Sequence, residues 1–291
     1  MQILHSLKRP DRLSSPVIVT IGNFDGVHLG HRSLLQFIQH KKESHGTSIV
    51  LTFRNHPKSI FDPDSPLLHL VTTEHKLQLL KSMGIDSTLL LPFTRELADL
   101  TYQEFISMLR ESIPFQHLVL GKGATIGKNR EGHEENMRTL AKEFGFEIHY
   151  ISKEMAGSAP ISSGRIRRLI ESGSMTEAAN LLGRPFSYFF KSQSRQPSSL
   201  GQDLHIVRIY ENNFISPPPG LYLSFLINNS GETKPAIADV QKSPSSLSFD
   251  LYCQGDFPSE DIYIAFPLPA EPEQGSIEQL FEKINLPSDY V

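Results

Sequence analysis

Apolar and polar positions divide the chain into two regions with different periods. Residues 16–21, 47–53, 87–93, 117–120 and 146–151 form short, nearly continuous apolar runs, the pattern of strands covered on both faces. Between them apolar residues recur at helical spacing. Leu34, Leu35, Phe37 and Ile38 do so first, followed by 74–83, 102–113 and 134–144. Strand and helix alternating in this way predict βαβ units around a parallel sheet, with ligands at the carboxyl ends of its strands.

After about Tyr188 the pattern changes. Residues 191–202 are rich in Ser, Gln and Gly and read as a loop. Strand-like runs follow at 204–210, 220–227, 234–240, 246–253 and 261–266, separated by Pro- and Ser-rich turns, and a helical pattern at 276–284 closes the chain. Short strands at regular spacing predict a small β-barrel, here with a C-terminal helix. A helix at 175–182 ends in Gly183 with Pro185 two residues on, a sharp stop. The boundary is drawn there: an α/β domain over residues 1–186 and a barrel domain over 187–291.

Composition adds exclusions. A net charge of -4 gives no basic footprint for nucleic acid. The single cysteine, Cys253, excludes an intramolecular disulfide and reads as a small core residue. Residues 1–12 hold no apolar segment of signal-peptide length, and no apolar run approaches the roughly 18–20 residues of a membrane span. The expectation is a soluble cytoplasmic protein with neither nucleic-acid nor membrane partners; oligomeric state is not readable.

The chemistry concentrates at Val19-Thr20-Ile21-Gly22-Asn23-Phe24-Asp25-Gly26-Val27-His28-Leu29-Gly30-His31. A buried strand stops at a Gly-Asn-Phe-Asp-Gly turn, and His-Leu-Gly-His then opens a helix. Backbone N–H groups and the positive end of the helix dipole favour an anion at that point. Gly30 removes a side chain between the imidazoles, so a phosphate can approach the backbone. Two imidazoles at such a helix end suit adenylyl transfer, which needs donors aimed at charge developing on the phosphoryl group rather than a protein nucleophile. The plainer alternatives are ordinary loop histidines or a metal pair; for a metal no third ligand of the right kind sits nearby in sequence.

Four further stretches carry candidate chemistry. Phe53-Arg54-Asn55-His56-Pro57 follows the second strand and reads as a turn, with Pro57 holding its predecessor extended and His56 able to cap it. Gly121-Lys122-Gly123-Ala124-Thr125-Ile126-Gly127-Lys128-Asn129 matches neither the P-loop nor the GxGxxG spacing. His133-Glu134-Glu135 reads as the solvated first turn of a helix, not as metal ligands. In Ile161-Ser162-Ser163-Gly164-Arg165-Ile166-Arg167, Ser162 or Ser163 is a natural N-cap, and Arg167 falls about one turn in, within reach of phosphates at that end.

Asn-Phe-Asp-Gly-Val-His-Leu-Gly-His resembles the signature of the bacterial FAD synthetase module, a member of the HxGH nucleotidyltransferase superfamily. In the bifunctional riboflavin kinase/FMN adenylyltransferase family this module precedes a small kinase barrel. The resemblance extends to the Phe-x-x-His-Pro turn, to the loop the family writes Gly-x-Asp/Asn-Phe-x-Phe-Gly, to Ile-Ser-Ser-Thr-x-Ile-Arg and to a Leu-Gly-Arg-Pro-Phe ending. Three positions depart from it: Gly123, Ala124 and Gly164, the last standing where Thr is usual. The resemblance implies transfer of AMP from ATP to FMN with release of pyrophosphate, aided by Mg2+. It assigns catalysis to His28, His31 and Arg167. It assigns nucleotide binding to Gly22, Asn23, Phe24, Asp25, Gly30, Ser162, Ser163 and Arg167, and flavin contacts to His56, Pro57, Gly121 and Gly127. No protein residue is assigned as a metal ligand.

For residues 187–291 the resemblance is one of architecture, with Pro219-Gly220-Leu221-Tyr222 similar to a family turn. The family's Gly-Phe-Pro-Thr-Ala-Asn segment is missing; Leu204 and Ile206 stand where its Thr and Asn belong if Leu200-Gly201 is its remnant. Its glutamate falls near Ser248, with Asp250 the one nearby acid that could substitute. The barrel therefore either phosphorylates riboflavin through other residues or serves as a non-catalytic flavin-binding or assembly module. Transfer to another phosphate acceptor, such as nicotinamide mononucleotide or phosphopantetheine, is the remaining alternative for the first domain.

Overall fold

Six parallel strands carry the first half of the chain. These are β1 (Gln2–Leu4), β2 (Val17–Ile21), β3 (Thr47–Phe53), β4 (Ser87–Leu91), β5 (His117–Gly121) and β6 (Glu147–Ile151), in spatial order β1-β4-β3-β2-β5-β6. The computed structural model describes residues 1–64, 67–191, 198–199, 204–228, 230–241, 246–255, 258 and 261–269. These divide into two compact units, one of residues 1–67 with 76–161, the other of 68–75 with 162–291.

In the first unit the sheet is covered on both faces, which explains why its strands are apolar without alternation. Val17, Val19, Leu51, Leu89 and Leu118 pack on one face against Phe105, Ile106 and Leu109 of a helix, α5 (Tyr102–Ser112), and Met137 and Leu140 of another, α6 (Glu134–Phe144). Ile18, Val50 and Val119 pack on the other face against Leu34, Leu35 and Ile38 of α1 (Leu29–Lys41) and Leu80 of α3 (Thr73–Ser82). Each such side chain contributes about 1.5–3 kcal/mol by leaving water. Thr101 and Glu104 close a capping box at the start of α5, and left-handed Gly145 ends α6. Two short helices, α2 (Lys58–Phe61) and α4 (Arg95–Asp99), lie in loops after β3 and β4.

The strand order has a consequence for the site. From β2 the chain moves outward through β3 and β4, then returns to place β5 on the other side of β2. The carboxyl ends of β2 and β5 therefore flank the topological switch point, where open α/β sheets form their ligand crevice.

The second unit begins with helices α7 (Ser163–Glu171) and α8 (Met175–Leu182), after a small hairpin, β7 (Met155–Ala156) and β8 (Ala159–Pro160), that belongs to the first. Ser162 caps α7 by accepting from Arg165 N, and Gly183 ends α8 in the left-handed conformation. A seven-stranded antiparallel half-barrel follows. Its strands are β9 (Phe186–Phe190), β10 (Ser198–Ser199), β11 (Leu204–Asn212), β12 (Gly220–Ile227), β13 (Thr233–Val240), β14 (Ser246–Gln254) and β15 (Ile262–Pro269), ordered β10-β11-β14-β13-β12-β15-β9. Ser198–Ser199 pairs with β11 as a strand, where the loop composition of 191–202 predicts none; the pairing partner, not the local residues, makes it one. The helix expected at 276–284 and Leu200-Gly201 lie outside the described residues. Cys253 is fully buried, as expected of a core residue. Among the described residues no helix is long and apolar enough to cross a membrane.

Candidate active site

The turn after β2 is held in an unusual backbone shape. Phe24 has φ +49°, Gly26 +84° and Val27 +38°, and positive φ at a β-branched residue is costly. Burial over-determines it: Phe24 and Val27 are almost fully enclosed in the core beneath α1. Thr52 Oγ1 and Lys76 Nζ both donate to the Asn23 carbonyl, at 3.0 and 3.2 Å, and Gly22 N donates to Leu51 O.

Lys76 was not legible as part of this site. Its ammonium is buried, donating also to Phe53 O at 2.7 Å, so it ties together the ends of β2 and β3. Burial pulls its pKa down to about 8, with the Asp25 carboxylate opposing the shift. Only its place in a helical segment was visible, and an isolated lysine there reads as solvent-exposed.

The two histidines meet as expected of their spacing. Extended His28 is the N-cap of α1, and its Nδ1 accepts from His31 N at 3.3 Å. That bond places the proton of a neutral His28 on Nε2, a donor. The rings stack at 3.7 Å with a 15° interplanar angle, and Phe24 lies 5.1 Å from His31. Burial, then the neighbouring His28 and Lys76, hold the pKa of His31 well below the ordinary value. Its Nδ1 is out of solvent and meets no partner among the described residues. A Cβ at Gly30 would come within 3.3 Å of the His28 ring, so glycine leaves that face open. The first turn of α1 carries no acidic side chain to compete with an anion.

A cavity of about 630 Å³ opens beside this turn, within the range of small-molecule sites. Gly22 and Asn23 form one wall and the loop after β5, including Ala124 and Gly127, another; Pro57, Phe53, Phe61 and Phe93 supply an aromatic, apolar side, with Arg95 at 5.7 Å over Phe61. Gly123 takes φ +84° in a tight turn closed by Ala124 N to Gly121 O. Gly127, at φ +81°, lies so close to the start of α5 that a Cβ would sit 2.4 Å from Tyr102 N. His56 Nδ1 accepts from Lys58 N, the turn-capping arrangement, while Pro57 itself lines the cavity. Gly121 is the last residue of β5, with open space where a side chain would be.

Ser162, Ser163 and Arg167 gather at the start of α7 in the second unit. Arg167 is largely buried there, with Nε donating to Leu68 O at 2.6 Å. Also in that unit, Asp250 is buried and receives two bonds from Arg208, Nε at 2.7 Å and Nη2 at 2.8 Å. Leu204 packs in an apolar cluster with Ile237, Leu221 and Tyr252.

The chain is similar to known proteins over most of its length. Residues 11–165 match the model of the FAD synthetase family. The bifunctional riboflavin kinase/FMN adenylyltransferase of Escherichia coli strain K12 is 29% identical over 232 residues, 78% of this chain and 74% of that protein. The protein of the same name from Listeria monocytogenes is 29% identical over 81% of this chain and 77% of its own length. A crystal structure described as a macrolide-efflux protein from Streptococcus pneumoniae superimposes with a TM-score of 0.76 over 97% of this chain and 96% of that one, at 22% identity, a likeness of fold.

Proposed function

Since the chain belongs to the FAD synthetase family and makes FAD from FMN and ATP, we propose that the turn at residues 22–31 carries out the adenylyl transfer. The stacked His28–His31 pair at the N-terminus of α1, His28 buried and His31 half-buried, is the observation that carries this reading. A phosphate oxygen of FMN attacks the α-phosphorus of ATP; the new P–O bond forms as the bond to the β-phosphate bridging oxygen breaks, and pyrophosphate leaves. His28 Nε2–H donates to charge building on the transferring group, and His31, kept neutral by burial, offers a second imidazole against it. The α1 N-terminus adds backbone N–H groups and its dipole. The aromatic side of the cavity suits the flat isoalloxazine, with Pro57 and Gly127 along its wall. Ser162, Ser163 and Arg167, at the start of α7, are of the residue types that bind phosphate.

Asp25 and the Asn23 amide oxygen, both in this turn, are the hard oxygen donors that would hold Mg2+. When bound with ATP, Mg2+ neutralises phosphate charge there. ATP as co-substrate favours the cytoplasm as the place of reaction.

For the second unit we infer a flavin-binding or assembly role without kinase chemistry. Asp250, the candidate base, has its carboxylate occupied by Arg208, and Leu204 offers no ligand for a hard cation. The test is a product assay on the purified chain with ATP and Mg2+, run with FMN and separately with riboflavin. FAD from FMN and nothing from riboflavin is the expected result. FMN formed from riboflavin overturns the inference about the second unit, and FAD formed equally well by His28→Ala overturns the role given to the turn.

A further inference from the structure

We propose that His117, Glu147 and His149 form a binding site for one divalent transition-metal ion of the zinc class, at the end of the parallel sheet opposite the adenylyl-transfer site. His117 opens β5 and Glu147 opens β6, and the two are direct partners in the parallel register. His149, two residues along β6, projects from the same face. The amino ends of β5 and β6 thus bring three ligand-type side chains together, while the turn at residues 22–31 follows the carboxyl end of β2.

The geometry is that of a metal-binding triangle. His117 Nδ1 lies 3.2 Å from Glu147 Oε2, His149 Nε2 lies 3.5 Å from the same oxygen, and the two nitrogens are 3.3 Å apart. A tetrahedral zinc ion with bonds of about 2.0–2.1 Å spaces its ligands about 3.3–3.4 Å apart, so one ion above this triangle reaches all three atoms with little movement. Two imidazoles and one carboxylate are a donor set used by zinc sites that keep the fourth position for water. Here that position faces solvent on the side of Glu147, which is 64% exposed, while His117 and His149 are largely covered. Phe37 rests 5.4 Å from His149 and limits its ring.

Lys41 Nζ, 3.8 Å from Glu147 Oε2, is the built-in competitor for the same oxygen. The ion would bridge β5 and β6 and stabilise the folded chain by mass action, independently of the FAD-forming reaction.

The test uses the full chain, stripped with a chelator and titrated with Zn2+ in equilibrium dialysis, with Co2+ as a spectroscopic stand-in. One equivalent of Zn2+ per chain is expected, with a rise in Tm. His149→Ala and the exposed-site variant Glu147→Gln should each weaken uptake by about tenfold or more, with FAD synthesis in Mg2+ unchanged as proof of folding. Lys41→Gln should leave uptake intact or tighten it. Absence of stoichiometric uptake, meaning that the three side chains form only a hydrogen-bonded trio, overturns the proposal. So does uptake that survives both His149→Ala and Glu147→Gln, which would place the ion elsewhere.

Discussion

The imidazoles of His28 and His31 lie face to face 3.7 Å apart, and the backbone N–H of His31 donates to Nδ1 of His28. One contact therefore orients both rings and assigns the His28 proton to the nitrogen pointing away from the helix. Stacking also makes the two rings poor neighbours when charged, which, together with burial, keeps His31 neutral.

Removing either ring should slow the reaction without unfolding the protein. Loss of one preorganised donor at a phosphoryl site costs roughly 10²–10³ in rate. His28→Ala and His31→Ala should each lower kcat for FAD formation by about that factor, read by steady-state assay, while KM for FMN changes little. Gly30→Ala is a milder probe: its methyl would press on the His28 ring at 3.3 Å, so kcat should fall and the unfolding midpoint should hold.

Titration of His31 gives a separate check. In the unfolded chain a histidine binds its proton near pH 6.5, and in the folded chain His31 does so only at much lower pH. Between those values the unfolded state holds more protons, so this group's contribution to stability is lost as pH falls below about 6.5. NMR of ring-labelled protein should show His31 neutral throughout pH 6–8. A titration midpoint at or above 6.5 would contradict the packing described for it.

Gly127→Ala should damage the cavity wall through the backbone. The residue has φ +81°, and a Cβ would stand 2.4 Å from Tyr102 N and 2.8 Å from Tyr102 Cα, atoms that cannot yield without moving the start of α5. A cost of about 2 kcal/mol or more is expected from the left-handed backbone and the clash together. Denaturant unfolding reads the stability loss, and a raised KM for FMN reads the displaced wall.

Much of this was written in local pattern. Thr47–Phe53, Glu134–Phe144 and Gly220–Ile227 coincide with the elements their periodicity predicts, because each has a pure pattern and a clear stop. The His-Leu-Gly-His turn was legible because its chemistry is contiguous. What was hidden depends on distant partners. The strand β1 is three residues long and exists through its pairing with β4. His117, Glu147 and His149 read as the ends of two apolar strands, and only the register between β5 and β6 makes them neighbours. Lys76 belongs to the same class, since the carbonyls that bury it lie 53 and 23 residues away in sequence.

The burial of Lys76 leads to a prediction with a definite sign. Its folded pKa is depressed from 10.5 to about 8, chiefly by desolvation. Below pH 8 both folded and unfolded chains hold the proton, and the cost of burying the charge is fully present. Between about pH 8 and 10.5 the unfolded chain binds the proton more often, so stability attributable to this group rises with pH, by roughly 3 kcal/mol over the window. Lys76→Met removes the titration and takes one donor from each of the carbonyls of Asn23 and Phe53; Asn23 keeps Thr52 Oγ1, so a cost of about 1–3 kcal/mol is expected from the Phe53 carbonyl. Chemical unfolding of both proteins from pH 7 to 10.5 isolates the effect, because every other group titrates in both. The wild-type advantage over Lys76→Met should widen as pH rises, and kcat for FAD formation should be lower in the variant because the turn bearing Asp25 and His28 loses its tether. A stability difference that stays level across that range would mean that Lys76 keeps its proton when folded as readily as when unfolded, and that the carbonyls of Asn23 and Phe53 compensate its burial in full.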